Sequence, residues 1–114
     1  MSHSQNFISI SIPDTDENLL MDLLQIKKAA LILRAFNHKL RQQIVKLIDE
    51  QTKTTVTNIY VTLRLEQSVA SQHLAILRRA GLVKAQREGK FIYYSLEYEN
   101  LRSLDLFVKN LLDK

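Results

Sequence analysis

Between Gln67 and Lys90 the chain sets out side chains able to read or hold a nucleic acid. Ser68, Ser71 and Gln72 fall on one side of a helix at its N-terminal end, with Gln67 just before it. A glutamine amide can bond adenine through both N6 and N7, and a serine hydroxyl can donate or accept to several bases. Arg78 and Arg79 follow further along, where they suit phosphate. Arg87-Glu88-Gly89-Lys90 sets two cations around a glycine that permits a tight tip, suited to a groove or a backbone. Lys53, Thr54 and Thr55 stand at the start of an earlier helix, where free amides and the positive dipole end favour a phosphate. Glu66 is discordant, because it suits the dipole but repels a nearby phosphate. Taken singly, each Ser or Gln is accounted for by solvation of an exposed face; the grouping points to a polyanion.

These residues need elements that position them. The stripe Ala70, Leu74 and Leu77 predicts an amphipathic helix from Ser68 to about Ala80, with Val69, His73 and Ile76 flanking the buried side. Gly81 fits the left-handed residue that ends it. Upstream, Val56 to Leu63 reads as a helix joined to it by a tight turn at Leu65–Gln67, which is the helix-turn-helix pattern. Leu82–Ala85 and Phe91–Ser95 read as strands around the charged tip. Asn37 and His38 cap a helix from Leu40 to about Gln51, with Leu40, Ile44, Leu47 and Ile48 facing inward, and Thr52–Thr55 reads as a polar link. Asp14, Thr15 and Asp16 offer a cap for a first helix reaching about Phe36. A last helix, about Glu97 to Leu112, carries Leu101, Leu104, Val108 and Leu111 as a seam.

The first and last helices have more apolar surface than so small a domain can cover. A homodimer is therefore expected through Leu20, Leu23, Leu24, Leu101, Leu104, Val108 and Leu111. The fold class is mainly α: a winged helix-turn-helix of about five helices with a two-stranded β-wing. Residues 1–13 are expected to be an N-terminal arm and residues 14–114 the DNA-binding and dimerisation domain.

The chain has 114 residues, no cysteine and a net charge of +4. The surplus is local. Residues 52–95 carry Lys53, Arg64, Arg78, Arg79, Lys84, Arg87 and Lys90 against Glu66 and Glu88, while both ends of the chain are slightly acidic. Charge alone is better explained by a solvated basic face, but a localised excess on this pattern raises the odds of a polyanionic partner. The lack of cysteine excludes disulfides, thiolate metal sites and thiol redox switching. No apolar run reaches the roughly 20 residues of a membrane span, and no leader pattern opens the chain, so a cytoplasmic location is expected.

The stretch Leu65-Glu66-Gln67-Ser68-Val69-Ala70-Ser71-Gln72-His73-Leu74, with Leu77-Arg78-Arg79-Ala80-Gly81-Leu82-Val83, Arg87-Glu88-Gly89-Lys90 and Tyr93-Tyr94-Ser95-Leu96, resembles the ArsR/SmtB family of bacterial winged-helix repressors. Asn37 to Ile44 resembles the family's entry to its second helix, with Lys39 where a proline is usual. The resemblance covers roughly Leu31 to Leu112. It implies a dimer paired through its first and last helices and an operator with twofold-related half-sites. Many such proteins sense metals through a Cys-x-Cys pair, whose positions here hold Thr55 and Thr57, or through Asp and His on the last helix, which has no histidine. His73 matches a histidine common in the family's reading helix, which implies a structural or phosphate-contacting role.

The expected function is a sequence-specific, dimeric transcriptional regulator, a repressor. Its major-groove helix is Ser68–Arg79 and its wing is Arg87–Lys90. The expected DNA-contacting set is Lys53, Thr55, Gln67, Ser68, Ser71, Gln72, His73, Arg78, Arg79, Arg87 and Lys90. The partners are double-stranded DNA and a second copy, with no membrane, no metal and no cofactor. The alternative is a winged-helix module for protein contact, whose basic patch meets an acidic partner. An enzyme lacks support, since no nucleophile elbow, phosphate loop or carboxylate pair is visible. The effector stays open: a small organic ligand, a protein partner or none.

Overall fold

The computed structural model describes residues 6–113, so the first five residues of the expected arm, His3 among them, lie outside the description. The described chain divides at Ile32/Leu33 into two units, taken separately below.

The larger unit is built on α2 (Lys39–Gln51), α3 (Val56–Leu63), α4 (Gln67–Arg79) and α5 (Tyr98–Leu112), with a three-stranded antiparallel sheet. In that sheet β3 (Lys53–Thr54) pairs with β5 (Phe91–Leu96), which pairs with β4 (Val83–Glu88). Its core is Ile44 and Ile48 of α2, Ile59 of α3, Leu74 and Leu77 of α4, and Leu82, all essentially without solvent contact. Full burial of side chains of this size contributes about 1.5–3 kcal/mol each. The helix boundaries lie within a residue or so of the expectation. The polar link Thr52–Thr55 is shaped into strand β3 because Thr54 is buried and Lys53 pairs with Ser95.

Local chemistry explains the ends. His38 is the N-cap of α2, its Nδ1 accepting from Leu40 N–H at 3.2 Å. Thr55 caps α3 by accepting from Asn58 N–H at 3.2 Å. At the end of α4, Leu82 N–H donates to Leu77 C=O at 3.0 Å and Gly81 N–H to Arg78 C=O at 2.9 Å, the paired bonds of a Schellman stop. This stop needs Gly81 at φ +77°, and Asn100 Nδ2 donates to the Gly81 carbonyl at 2.6 Å, tying α5 to the same corner. Tyr98 O–H donates to Asp49 Oδ1 at 2.9 Å, a bond that raises the tyrosine pKa and joins α5 to α2.

The smaller unit departs from the expectation. The first helix does not begin at Asp14–Asp16; β1 (Phe7–Ser11) and β2 (Asn18–Asp22) form an antiparallel hairpin, and α1 runs only from Leu23 to Phe36, its end crossing into the larger unit. Asp14-Thr15-Asp16 serves the turn: Thr15 Oγ1 donates to Ile12 C=O at 2.9 Å and accepts from Glu17 N–H at 3.0 Å, with Asp14 at φ 63°. The cap is Asp22, whose Oδ1 accepts from Leu24 and Gln25 N–H at 3.1 and 3.3 Å. Leu19-Leu20-Met21 fits either period, and pairing with the Phe7–Ser11 alternation decides it.

Gly81→Ala is expected to destabilise the fold by about 1–2 kcal/mol, through left-handed strain at a non-glycine residue. The added Cβ also meets Asn100 Nδ2 at 3.3 Å. Urea unfolding measures the loss, and an unchanged midpoint would show that the stop does not need glycine.

Candidate nucleic-acid interface

One stripe of α4 is committed to the core, since Ala70, Leu74 and Leu77 are buried. Gln67, Ser68, Ser71, Gln72, Arg78 and Arg79 are exposed, and His73 is half-buried at the boundary between the two faces. The α3–α4 turn is three residues, Arg64 to Glu66, opened by Arg64 in the left-handed region at φ 58°. It is held by Leu65 N–H to Tyr60 C=O at 2.8 Å. Glu66 occupies the N-cap with no side-chain bond to the helix, so the first amides of α4 and the side chains of Gln67 and Ser68 stay open.

The wing is longer than the sequence implied. Strand β4 continues through Arg87 to Glu88, which pairs with Phe91, so the turn is only Gly89-Lys90. Gly89 carries φ 65°, the positive value that tight hairpin turns require. Arg87 Nη1 donates to Gly89 C=O at 3.4 Å, and Lys90 Nζ lies 5.6 Å from the Phe91 ring centre. Both cations remain exposed at the tip.

Lys53 is placed elsewhere than at a free helix start. Its Nζ bonds both Glu88 carboxylate oxygens, at 2.8 and 2.9 Å, and lies 4.9 Å from the Tyr93 ring centre. Glu88, the one acid of the wing tip, is thereby neutralised, and the pair is half-exposed, so its net stabilisation is about 1 kcal/mol or less. Thr55 uses one hydroxyl lone pair on the α3 cap.

Arg41 is the residue that the sequence reading left out. Its Nε donates to His73 Nδ1 at 3.1 Å and its Nη1 to the Ala35 carbonyl at 3.2 Å, linking the end of α1 to α4 through one guanidinium. The His38 ring stands 4.9 Å from that of His73, tilted by 54°. Burial, then the His38 and Arg41 charges, hold His73 below the ordinary histidine value. Its Nδ1 is engaged by Arg41 as an acceptor at the edge of the exposed face. No local spacing signals this contact, because its partners lie 32 residues apart.

The expected dimer residues sit in two places. Leu20 is in β2, not in a helix, and is 68% exposed; Leu23 and Leu24 open α1 and are exposed as well. Leu101, Leu104 and Val108 of α5 are half-buried and line a groove of about 690 Å³ with Leu33 and Phe36, while Leu111 is exposed. Among the described residues no three His, Asp or Glu side chains gather as a metal site, and no helix is long and apolar enough to cross a membrane.

The model of the bacterial regulatory protein family arsR matches residues 38–85, from the capping His38 to the first wing strand. An uncharacterised HTH-type transcriptional regulator of Methanocaldococcus jannaschii is 35% identical, over 75% of this chain and 96% of its own. The crystal structure of the transcriptional repressor PagR of Bacillus anthracis superposes with a TM-score of 0.62 at 30% identity, covering 75% of this chain and 99% of that one. The homodimeric winged helix-turn-helix domain of a possible ArsR-family regulator from Mycobacterium bovis gives 0.65 at 29% identity, over 79% and 82%.

The His73 environment has a pH consequence. Because its folded-state pKa lies below the ordinary 6.5, the unfolded chain takes up the proton first on acidification. Stability is therefore fully present above about pH 6.5 and falls as pH drops through the folded value. Urea midpoints at about pH 8 and about pH 5 are expected to differ less in His73→Gln than in the wild type. An equal loss in both would place the acid sensitivity elsewhere.

Proposed function

The chain belongs to the arsR family of bacterial regulatory proteins, winged helix-turn-helix transcriptional regulators rather than enzymes, and from that footing we propose that it is a repressor binding a twofold operator as a homodimer. The observation that carries the reading is the division of α4. Three small or neutral polar side chains and Gln72 stand open at its N-terminal half, where a major groove can be approached closely, while Arg78 and Arg79 lie toward its end. Gln72 and Gln67 read base edges, Ser68 and Ser71 adjust to neighbouring bases or phosphate, and Arg78 and Arg79 hold the backbone. Arg87 and Lys90 at the wing tip contact backbone or the minor groove.

Lys53, Thr55 and His73 support this surface from behind in the proposed complex. Lys53 removes the repulsion between Glu88 and phosphate, Thr55 fixes the start of α3, and His73 with Arg41 fixes the rotation of α4. Dimerisation is assigned to Leu20, Leu23, Leu24 and Leu111, exposed in the single chain, with the α5 groove side chains Leu101, Leu104 and Val108. A dimer brings two α4 helices to half-sites about one DNA turn apart.

Binding to duplex carrying the promoter of its own gene is expected to fall steeply with salt, because neutralised phosphates release counterions. Gln72→Ala should relax discrimination at one base position by about 1–3 kcal/mol. Arg87→Ala should weaken all sequences similarly and reduce the salt slope by about 1. Fluorescence anisotropy at several salt concentrations reads all three, and affinity indifferent to salt would overturn the DNA reading.

A further inference from the structure

We propose that the N-terminal hairpin is a second, separate dimerisation element, in which β1 of one copy pairs edge to edge with β1 of another to make a four-stranded sheet. The proposal rests on the homodimer proposed above and goes beyond its helical contacts. It also lies outside residues 38–85, which the family model matches.

The backbone sets out the open edge. Ile12 N–H donates to Glu17 C=O at 3.0 Å, so Ile12 and Glu17 stand at a hydrogen-bonded position of the ladder. By antiparallel alternation the pairs Ile10–Leu19 and Ile8–Met21 do the same, which turns the amides and carbonyls of Phe7, Ser9 and Ser11 outward. Strand β1 is FISIS: it has no charge, no proline and no interruption of its pairing. Soluble proteins normally guard an exposed edge with one of those devices, and this one is unguarded.

The hairpin also lacks support as a single copy. A two-stranded ribbon alone is marginal in water, and no residue from 6 to 32 is buried in the single chain. Cross-strand partners share a face, so Ile8, Ile10, Leu19 and Met21 form an apolar side. The opposite side is mixed: Ser9, Ser11, Asn18 and Asp22 stand there with Phe7 and Leu20, and Ser11 Oγ donates to Asn18 Oδ1 at 2.9 Å. Pairing through β1 satisfies the outward amides and doubles the apolar side into one continuous surface.

A second copy of this chain is the occupant the observations favour. Antiparallel pairing of one strand with itself is what a twofold axis produces, and equal parity of the outward residues keeps both apolar sides on the same face. Strand β2 runs into α1 with no intervening residue, so a dimer already joined through α1 holds two β1 edges at high effective concentration. DNA is excluded as the occupant by charge, since the hairpin turn carries Asp14, Asp16 and Glu17 and no cation.

The test uses the absence of cysteine from the chain, which lets a single introduced thiol report. Single-cysteine variants at Ile8, Ser9, Ile10 and Ser11, mildly oxidised, are expected to give a covalent dimer most readily at the residue on the twofold axis. Asn18→Cys, across from Ser11 on the outer strand and outside the assigned helical interface, is expected to give none. In parallel, Ser9→Pro removes an outward N–H while leaving the β1–β2 ladder bonds in place. It is expected to raise the dimer dissociation constant about tenfold or more in sedimentation equilibrium. Covalent dimer only at Asn18→Cys, or at none of the positions, would overturn edge pairing, as would an unchanged constant for Ser9→Pro. In each of those cases a persisting wild-type dimer leaves the helical interface standing, whereas a wild type that stays monomeric removes both.

Discussion

Burial of Ala70, Leu74 and Leu77 alongside Ile44, Ile48 and Ile59 governs the geometry of the surface that α4 and the wing present. Those side chains set the rotation of α4 about its axis, because any other rotation would expose leucine and bury a glutamine or an arginine. Exposing such residues while burying unpaired polar groups costs several kcal/mol, so one rotation dominates. With it fixed, Gln67, Ser68, Ser71 and Gln72 have no alternative to solvent or a partner. The Schellman stop at Gly81 then sends the chain directly into β4, so the wing is fastened to the same core corner as the helix it accompanies.

Electrostatics refine this surface without creating it. Glu88 would oppose a polyanion at the wing tip, but Lys53, brought alongside by the β3–β5 pairing, holds both of its oxygens. Arg41 acts inward, joining His73 to the carbonyl end of α1, while burial first, then the His38 and Arg41 charges, lower that histidine's pKa. Lys53 is thus withdrawn from the positive surplus of residues 52–95, and both it and Arg41 serve as braces. The exposed cations left around α4 and the wing are Arg78, Arg79, Arg87 and Lys90, with Arg64 at the turn and Lys84 on β4.

Much of the larger unit was legible because its signals are local. The stripe in α4, the capping His38 and the glycines at 81 and 89 act within a turn or two of the chain, and each element formed where those signals stood. Helix–strand ambiguity defeated the reading only where Leu19, Leu20 and Met21 run together. A stretch of three apolar residues has no period of its own, and Asp14-Thr15-Asp16 serves a turn as readily as a cap.

Sequence alone therefore determined the helix-turn-helix, its wing and the family to which the chain belongs, since periodicity, caps and turn residues specify elements through near neighbours. Tertiary structure decided what depends on distant partners. It bound Lys53 to Glu88, 35 residues away, and Arg41 to His73, 32 residues away, and it turned the expected helix start into a hairpin with an open edge. Such pairings carry no periodic trace, because they are set by where the packed core happens to bring two side chains together.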